Sequence, residues 1–119
     1  SSYADAMDDL DYYRNTLNIP KEKLILGVPF YGYGFGPGLS DPVITLNYND
    51  IISTYAGAEW VDHWHLPNGY IMYYNGIPTI KNKTELANKE AGGIMIWQIL
   101  GDIPTGRKSL LSAINSVAR

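Results

Sequence analysis

The chain has no cysteine, which excludes disulfides and thiolate chemistry but does not fix a compartment. It also lacks a basic stripe, since nine Lys and Arg stand against 12 Asp and Glu for a net charge of −3. Nothing is there to neutralise phosphates, so neither nucleic acid nor an anionic membrane is an expected partner. No apolar run approaches the ~20 residues of a membrane span, and the opening residues read as the interior of a fold, not as a signal peptide. Phenylalanine is scarce, two against ten tyrosines. Aromatic surface that carries hydroxyls suits sugar clefts and ordinary interfaces equally well.

What is present is organised around Gly92-Gly93-Ile94-Met95-Ile96-Trp97-Gln98-Ile99-Leu100-Gly101-Asp102. The run is apolar without period-2 alternation, as expected of an inner parallel strand covered on both faces. Ligand sites in α/β folds lie outside the carboxyl ends of such strands, which makes Trp97 the first site candidate. The alternative is a core tryptophan whose N–H has found an acceptor. A second run of this kind is Leu24-Ile25-Leu26-Gly27-Val28-Pro29-Phe30-Tyr31-Gly32, with Pro29 at its end or beside a bulge, because proline cannot donate to a ladder. Rings and glycines then alternate from Tyr31 to Gly36, which reads as a loop lining a cleft. The loop lacks the Lys and Ser/Thr of a phosphate-binding loop.

Ser2 can cap a helix whose inner face is Tyr3, Met7, Leu10, Tyr13 and Leu17, ending near Asn18 ahead of Pro20. Residues 37–80 are looser and read as a short insertion or connection, not a second domain. They hold a short strand at 43–46, a helix capped by Asn47 and ending at Gly57, and a strand at 70–74. His63 and His65 would share a face if on a strand. Two imidazoles do not complete a zinc site, and a rim position is the better reading. Asn82 with Glu85 signals a helix start, which also explains the Asn82-Lys83-Thr84 sequon without a glycan. A closing helix is expected over 109–118. The order is helix, buried strand, connection, helix, buried strand, helix, which implies α/β with a parallel sheet. Two parallel strands cannot cover each other, and the smallest common closed parallel barrel needs eight strands over roughly 250 residues. The 119 residues therefore read as the tail of a barrel.

Leu26-Gly27-Val28-Pro29-Phe30-Tyr31-Gly32, Tyr73-Tyr74-Asn75-Gly76, and Gly92 through Trp97 closing on Gly101-Asp102 together resemble the carboxyl-terminal part of glycoside hydrolase family 18. That family comprises chitinases, endo-β-N-acetylglucosaminidases and inactive lectin relatives. The resemblance covers nearly all of residues 1–119. It implies an α/β fold, about strands seven and eight with flanking helices of a (β/α)₈ TIM barrel, with the short insertion at 37–80. It implies a secreted protein, extracellular or periplasmic, and the residues themselves lead to no expected cofactor or metal. It makes Trp97 the floor under a distorted sugar, Met95 its lining, and Tyr31 and Tyr33 the cleft wall. Tyr33 stands where many members have arginine, and Gln98 where glutamate is frequent. Barrel packing is the alternative role for Met95 and Tyr31.

The family's D-x-x-D-x-D-x-E signature has no match here, so no catalytic residue is assigned within this chain. Asp5 and Asp8 imitate its first half, but Leu10 and Tyr12 stand where the last Asp and Glu belong. The implied function is part of a glycoside hydrolase acting on β-1,4-linked N-acetylglucosamine, in chitin or the N-glycan core. The implied mechanism is substrate-assisted and retaining, with the acid glutamate outside the chain. The alternative is a non-catalytic, carbohydrate-binding, chitinase-like lectin. Further expected partners are the missing part of the barrel or a second copy, through uncovered strand edges.

Overall fold

A computed structural model describes residues 1–118. In order they form α1 (Tyr3–Asp11), β1 (Ile25–Pro29), β2 (Tyr31–Phe35), β3 (Ile44–Asn47), α2 (Tyr48–Thr54), β4 (His63–His65), β5 (Ile71–Tyr73), α3 (Ile77–Glu90), β6 (Gly93–Trp97) and α4 (Leu110–Val117).

β1 and β6 pair in parallel, with Ile25 opposite Gly93 and Pro29 opposite Trp97. Pro29 is the last residue of its strand, where its missing N–H costs no ladder bond. The expectation that both faces are covered is corrected. Leu26 and Val28 are buried, but Ile25 is 60% exposed, Met95 49% and Trp97 64%. Successive side chains point to opposite faces, and the chain's own helices cover only the Leu26–Val28 side. The other face is apolar in sequence and open in this chain, which is why no alternation was visible.

Residues 31–73 build a second sheet, antiparallel, in the order β3-β2-β5-β4. The Tyr31–Gly36 stretch, expected as a loop, is mostly strand β2. Its ring-glycine alternation is a period of two, the signature of a strand with one crowded face. A Cβ at Gly32 would stand 2.7 Å from the Tyr73 carbonyl oxygen and 3.0 Å from the Met72 sulfur. Glycine is what lets β5 lie so close. On that inner side Met72 is fully buried with Phe30, Tyr48, Ile51, Ile80 and Leu110.

The helices follow from their caps. Ser2 and Asp5 form a reciprocal capping box at the start of α1: the Asp5 N–H donates to the Ser2 hydroxyl (3.0 Å) and the Ser2 N–H to the Asp5 carboxylate (3.3 Å). The helix continues as a π turn over Tyr12–Thr16 and breaks at Asn18, whose φ is +56°. Its expected inner face is corrected as well: Ala6 and Leu10 are buried, whereas Tyr3, Met7, Tyr13 and Leu17 are exposed. α3 begins at Ile77, not at Asn82, which lies exposed in mid-helix. The start signal comes from a distance, because the Asp62 carboxylate accepts from the Gly76 N–H (2.9 Å) and the Thr79 hydroxyl, and Pro78 occupies the first turn. α4 is started by Ser109, whose hydroxyl accepts from the Ser112 N–H (3.1 Å). The buried Asp102 carboxylate reinforces it by accepting from the Ser109 hydroxyl and the Leu110, Leu111 and Ile103 N–H groups at 2.7–2.8 Å.

Candidate sugar-binding cleft

β6 carries Trp97 to its carboxyl end, beside the end of β1, where the Phe30 N–H donates to the Trp97 carbonyl at 2.8 Å. The Trp97–Gln98 peptide is cis. Met95 lies two residues earlier on the same open face. With Tyr31 they line a shallow hollow of about 220 Å³. A second hollow, of about 210 Å³, is lined by Tyr31, Tyr33, Asp62, Tyr73, Tyr74 and Asn75. Ser1, Pro29 and Tyr31 belong to both, so the two form one cleft with the indole at one end.

The expected residues divide accordingly. Trp97, Met95 and Tyr31 come together in the first hollow, and Tyr31 and Tyr33 in the second. The two tyrosines pack edge to face with ring centroids 5.3 Å apart. Burial, and then the neighbouring Tyr33 hydroxyl, push the Tyr31 hydroxyl pKa up, so it is held as a neutral donor. Gln98 does not join them: it is exposed, precedes the single turn Ile99–Gly101 and lines neither hollow.

Sequence reasoning gave no site role to Tyr73, Tyr74, Asn75 or Asp62. The Tyr73-Tyr74-Asn75-Gly76 run stood out as a motif, but its place beside Tyr33 depends on the pairing of β5 with β2. Asp62 is the one carboxylate in either lining, and it is occupied in starting α3.

Beneath the second hollow lies Lys83, fully buried. Its ammonium donates to the Ser1 carbonyl (2.7 Å), the Ser1 hydroxyl (2.8 Å) and the Asn75 side-chain oxygen (2.6 Å). The Asn75 amide donates to the same Ser1 carbonyl at 2.9 Å. All three acceptors of Lys83 are neutral. Burial lowers its pKa to about 8, against the opposing pull of Asp62 and Asp5. The lysine thus ties α3, the end of β5 and the segment at Ser1 into a floor for the cleft.

His63 and His65 sit on β4 and share a face, ring centroids 5.7 Å apart. Among the described residues no group of three His, Asp or Glu is arranged to hold a metal ion.

Neither family models nor curated proteins return a match to the chain. Solved structures do. A GH18 chitinase from the chitin utilization locus of Flavobacterium johnsoniae matches 98% of this chain with 34% of its own, at 36% identity and a TM-score of 0.79. A chitinase from Bacteroides thetaiotaomicron matches 100% of this chain with 38% of its own, at 34% identity and a TM-score of 0.72. Human YKL-39, described as a pseudo-chitinase with retained chitooligosaccharide binding, shares the fold at 18% identity and a TM-score of 0.71. The chain spans a little over a third of the length of these relatives, and its mixed α/β structure matches that part of them. Its sequence and its fold agree on one assignment: the chain belongs to glycoside hydrolase family 18.

Proposed function

We propose that this chain is the part of a family 18 barrel that contains its seventh and eighth strands, β1 and β6, and that Trp97 is a floor for an N-acetylglucosamine ring. The observation that carries this is the exposed indole at the carboxyl end of a parallel strand, opening onto a hollow it shares with Met95 and Tyr31. Ile25 and Met95 on the same face are open as well, so what sets Trp97 apart is its place at the carboxyl end of the strand beside Tyr31, where ligand sites of α/β folds lie. Two relatives above 30% identity are chitinases, which supports β-1,4-linked N-acetylglucosamine as the substrate class.

In this reading the whole barrel hydrolyses the linkage with retention. The acetamido oxygen of the bound sugar attacks its own anomeric carbon, and a glutamic acid outside this chain protonates the leaving oxygen. The chain's share of the work is to hold the ring over Trp97 while Tyr31 donates from the wall. The same reading places the protein outside the cytoplasm, where polymeric chitin is met.

The test is Trp97→Ala in the full polypeptide, with calorimetric titration by N-acetylglucosamine oligomers. Affinity should fall by ~1–3 kcal/mol, and unchanged affinity would remove the indole from the site. Tight binding without release of reducing ends by the wild-type protein would select the lectin alternative.

A further inference from the structure

Strand β4 carries two imidazoles that the cleft does not use. His63 and His65 are both exposed, and at a spacing of two they project from the same side of the strand. Trp64 between them turns the other way, its ring 5.9 Å from that of Tyr55, and this inward anchor decides which side the histidines take. Backbone bonds clamp β4 to β5 at both ends: the Tyr74 N–H donates to the Asp62 carbonyl at 3.0 Å, and the Leu66 N–H to the Tyr70 carbonyl at 2.7 Å. Among the described residues β4 is an edge of its sheet, so the two rings stand on a rigid element with solvent beside them.

The geometry suits a shared ion. The ring centroids lie 5.7 Å apart with the planes at 83°. With nitrogen–metal bonds of about 2.0–2.1 Å, two imidazoles on one ion hold their centroids roughly 4.5–5.5 Å apart, a separation that a small turn of either side chain reaches. Their partners across the sheet, Tyr73 opposite His63 and Ile71 opposite His65, carry no charge, and neither repels a cation. The Asp62 carboxylate, next in sequence, is engaged at the start of α3 and is not a third ligand. An ion here is held by two nitrogens and by water. That excludes the closed structural zinc site, which takes four protein ligands, and the oxygen-seeking Mg(II) and Ca(II). It favours an ion that takes nitrogen donors in a tetragonal shell completed by water. Cu(II) is that ion, and it also binds nitrogen most strongly in the divalent series, ahead of Ni(II) and Zn(II).

We propose that His63 and His65 form a two-imidazole, water-completed site for a late first-row divalent metal ion, Cu(II) foremost. The site lies at the edge of the sheet face that bears Tyr73, whose ring is 6.3 Å from that of His63. It takes no ligand from the sugar cleft and stands or falls without that reading.

The full polypeptide, freed of metal by a chelator, is titrated with Cu(II), Ni(II), Zn(II) and Mg(II) in wild type, His63→Gln and His65→Gln, with electron paramagnetic resonance to count the imidazole nitrogens on copper. Wild type should show a Cu(II) site with two such nitrogens, weaker for Ni(II) and Zn(II) and not taken by Mg(II). Either substitution should weaken that site at least ~tenfold, because one anchored imidazole is what raises the effective concentration of the other. Both positions are exposed, so the thermal midpoints of the metal-free variants should match wild type. A second measurement needs no variant: substoichiometric Cu(II) should broaden the nuclear magnetic resonance ring signals of His63 and His65 before those of other residues. Copper bound with wild-type affinity in both variants, or weakened in only one, overturns the shared site, and so does broadening that leaves these two rings sharp.

Discussion

The two sheets of this protein solve the problem of a half-covered surface in opposite ways. The parallel pair β1 and β6 is apolar on both faces but buries only one, leaving Ile25, Met95 and Trp97 open. The antiparallel sheet separates its faces by residue type: Gly32, Gly34 and Met72 turn inward and the tyrosines outward. An uncovered apolar face without polar atoms is a surface made to be covered, whereas a face of tyrosines is stable in water and still able to grip a ligand. The candidate cleft lies where the two meet, taking its flat floor from one sheet and its hydroxyl-bearing wall from the other.

The sharpest way to break the comparison is to remove what holds each sheet. The parallel half leans on Asp102, one buried carboxylate serving four donors. Asp102→Ala leaves those donors without a partner and should cost at least ~3 kcal/mol in urea unfolding. A loss below ~1 kcal/mol would mean that α4 is held by packing alone.

The antiparallel half depends instead on close approach. Gly32→Ala pushes a Cβ into the Tyr73 carbonyl and should destabilise by ~1–3 kcal/mol. Gly93→Ala on β6 meets only the mobile end of Ile25 at 3.3 Å and should stay within ~0.5 kcal/mol of wild type. Equal effects at the two glycines would erase the distinction between the sheets.

A further effect concerns Lys83, which ties α3 to the end of β5 and the segment at Ser1. The Lys83 pKa falls from 10.5 to about 8 in the folded protein, so between these values the unfolded chain binds the extra proton and stability rises with pH. The contribution is complete above 10.5 and lost as pH falls through 8. Tyr48 and Tyr74, whose pKa values burial pushes upward, oppose it only above about 10. The thermal midpoint should therefore climb from pH 8 to 10 in wild type, and Lys83→Met should lose that climb. A climb of equal size in the variant would show that another group titrates.

Much of the backbone plan was legible in the chain. Ser2 ahead of an amphipathic helix, Pro29 at a strand end and the closing helix over 109–118 were readable locally, and each structure they imply is present. The start of α3 was misread because its cap is supplied by Asp62, 14 residues upstream of Gly76, while Asn82 and Glu85 imitate a cap that the fold does not use. The ring-glycine stretch was misread because glycine signals both loops and crowded strands, and only the neighbouring β5 decides between them. Of the candidate cleft, Trp97 and the rings of Tyr31 and Tyr33 stood out in the sequence, and Met95 came from the family resemblance. Tyr73, Asn75 and Asp62 became part of it only through pairings across the chain.

By itself the sequence determined that two apolar strands alternate with helices and that an indole stands at the end of the second, because hydrophobic period and caps are written within a few residues of where they act. Tertiary structure alone decided which face stays open and which tyrosines meet the indole. Strand register and face coverage are properties of pairs of segments distant in the chain, and no local pattern encodes the partner.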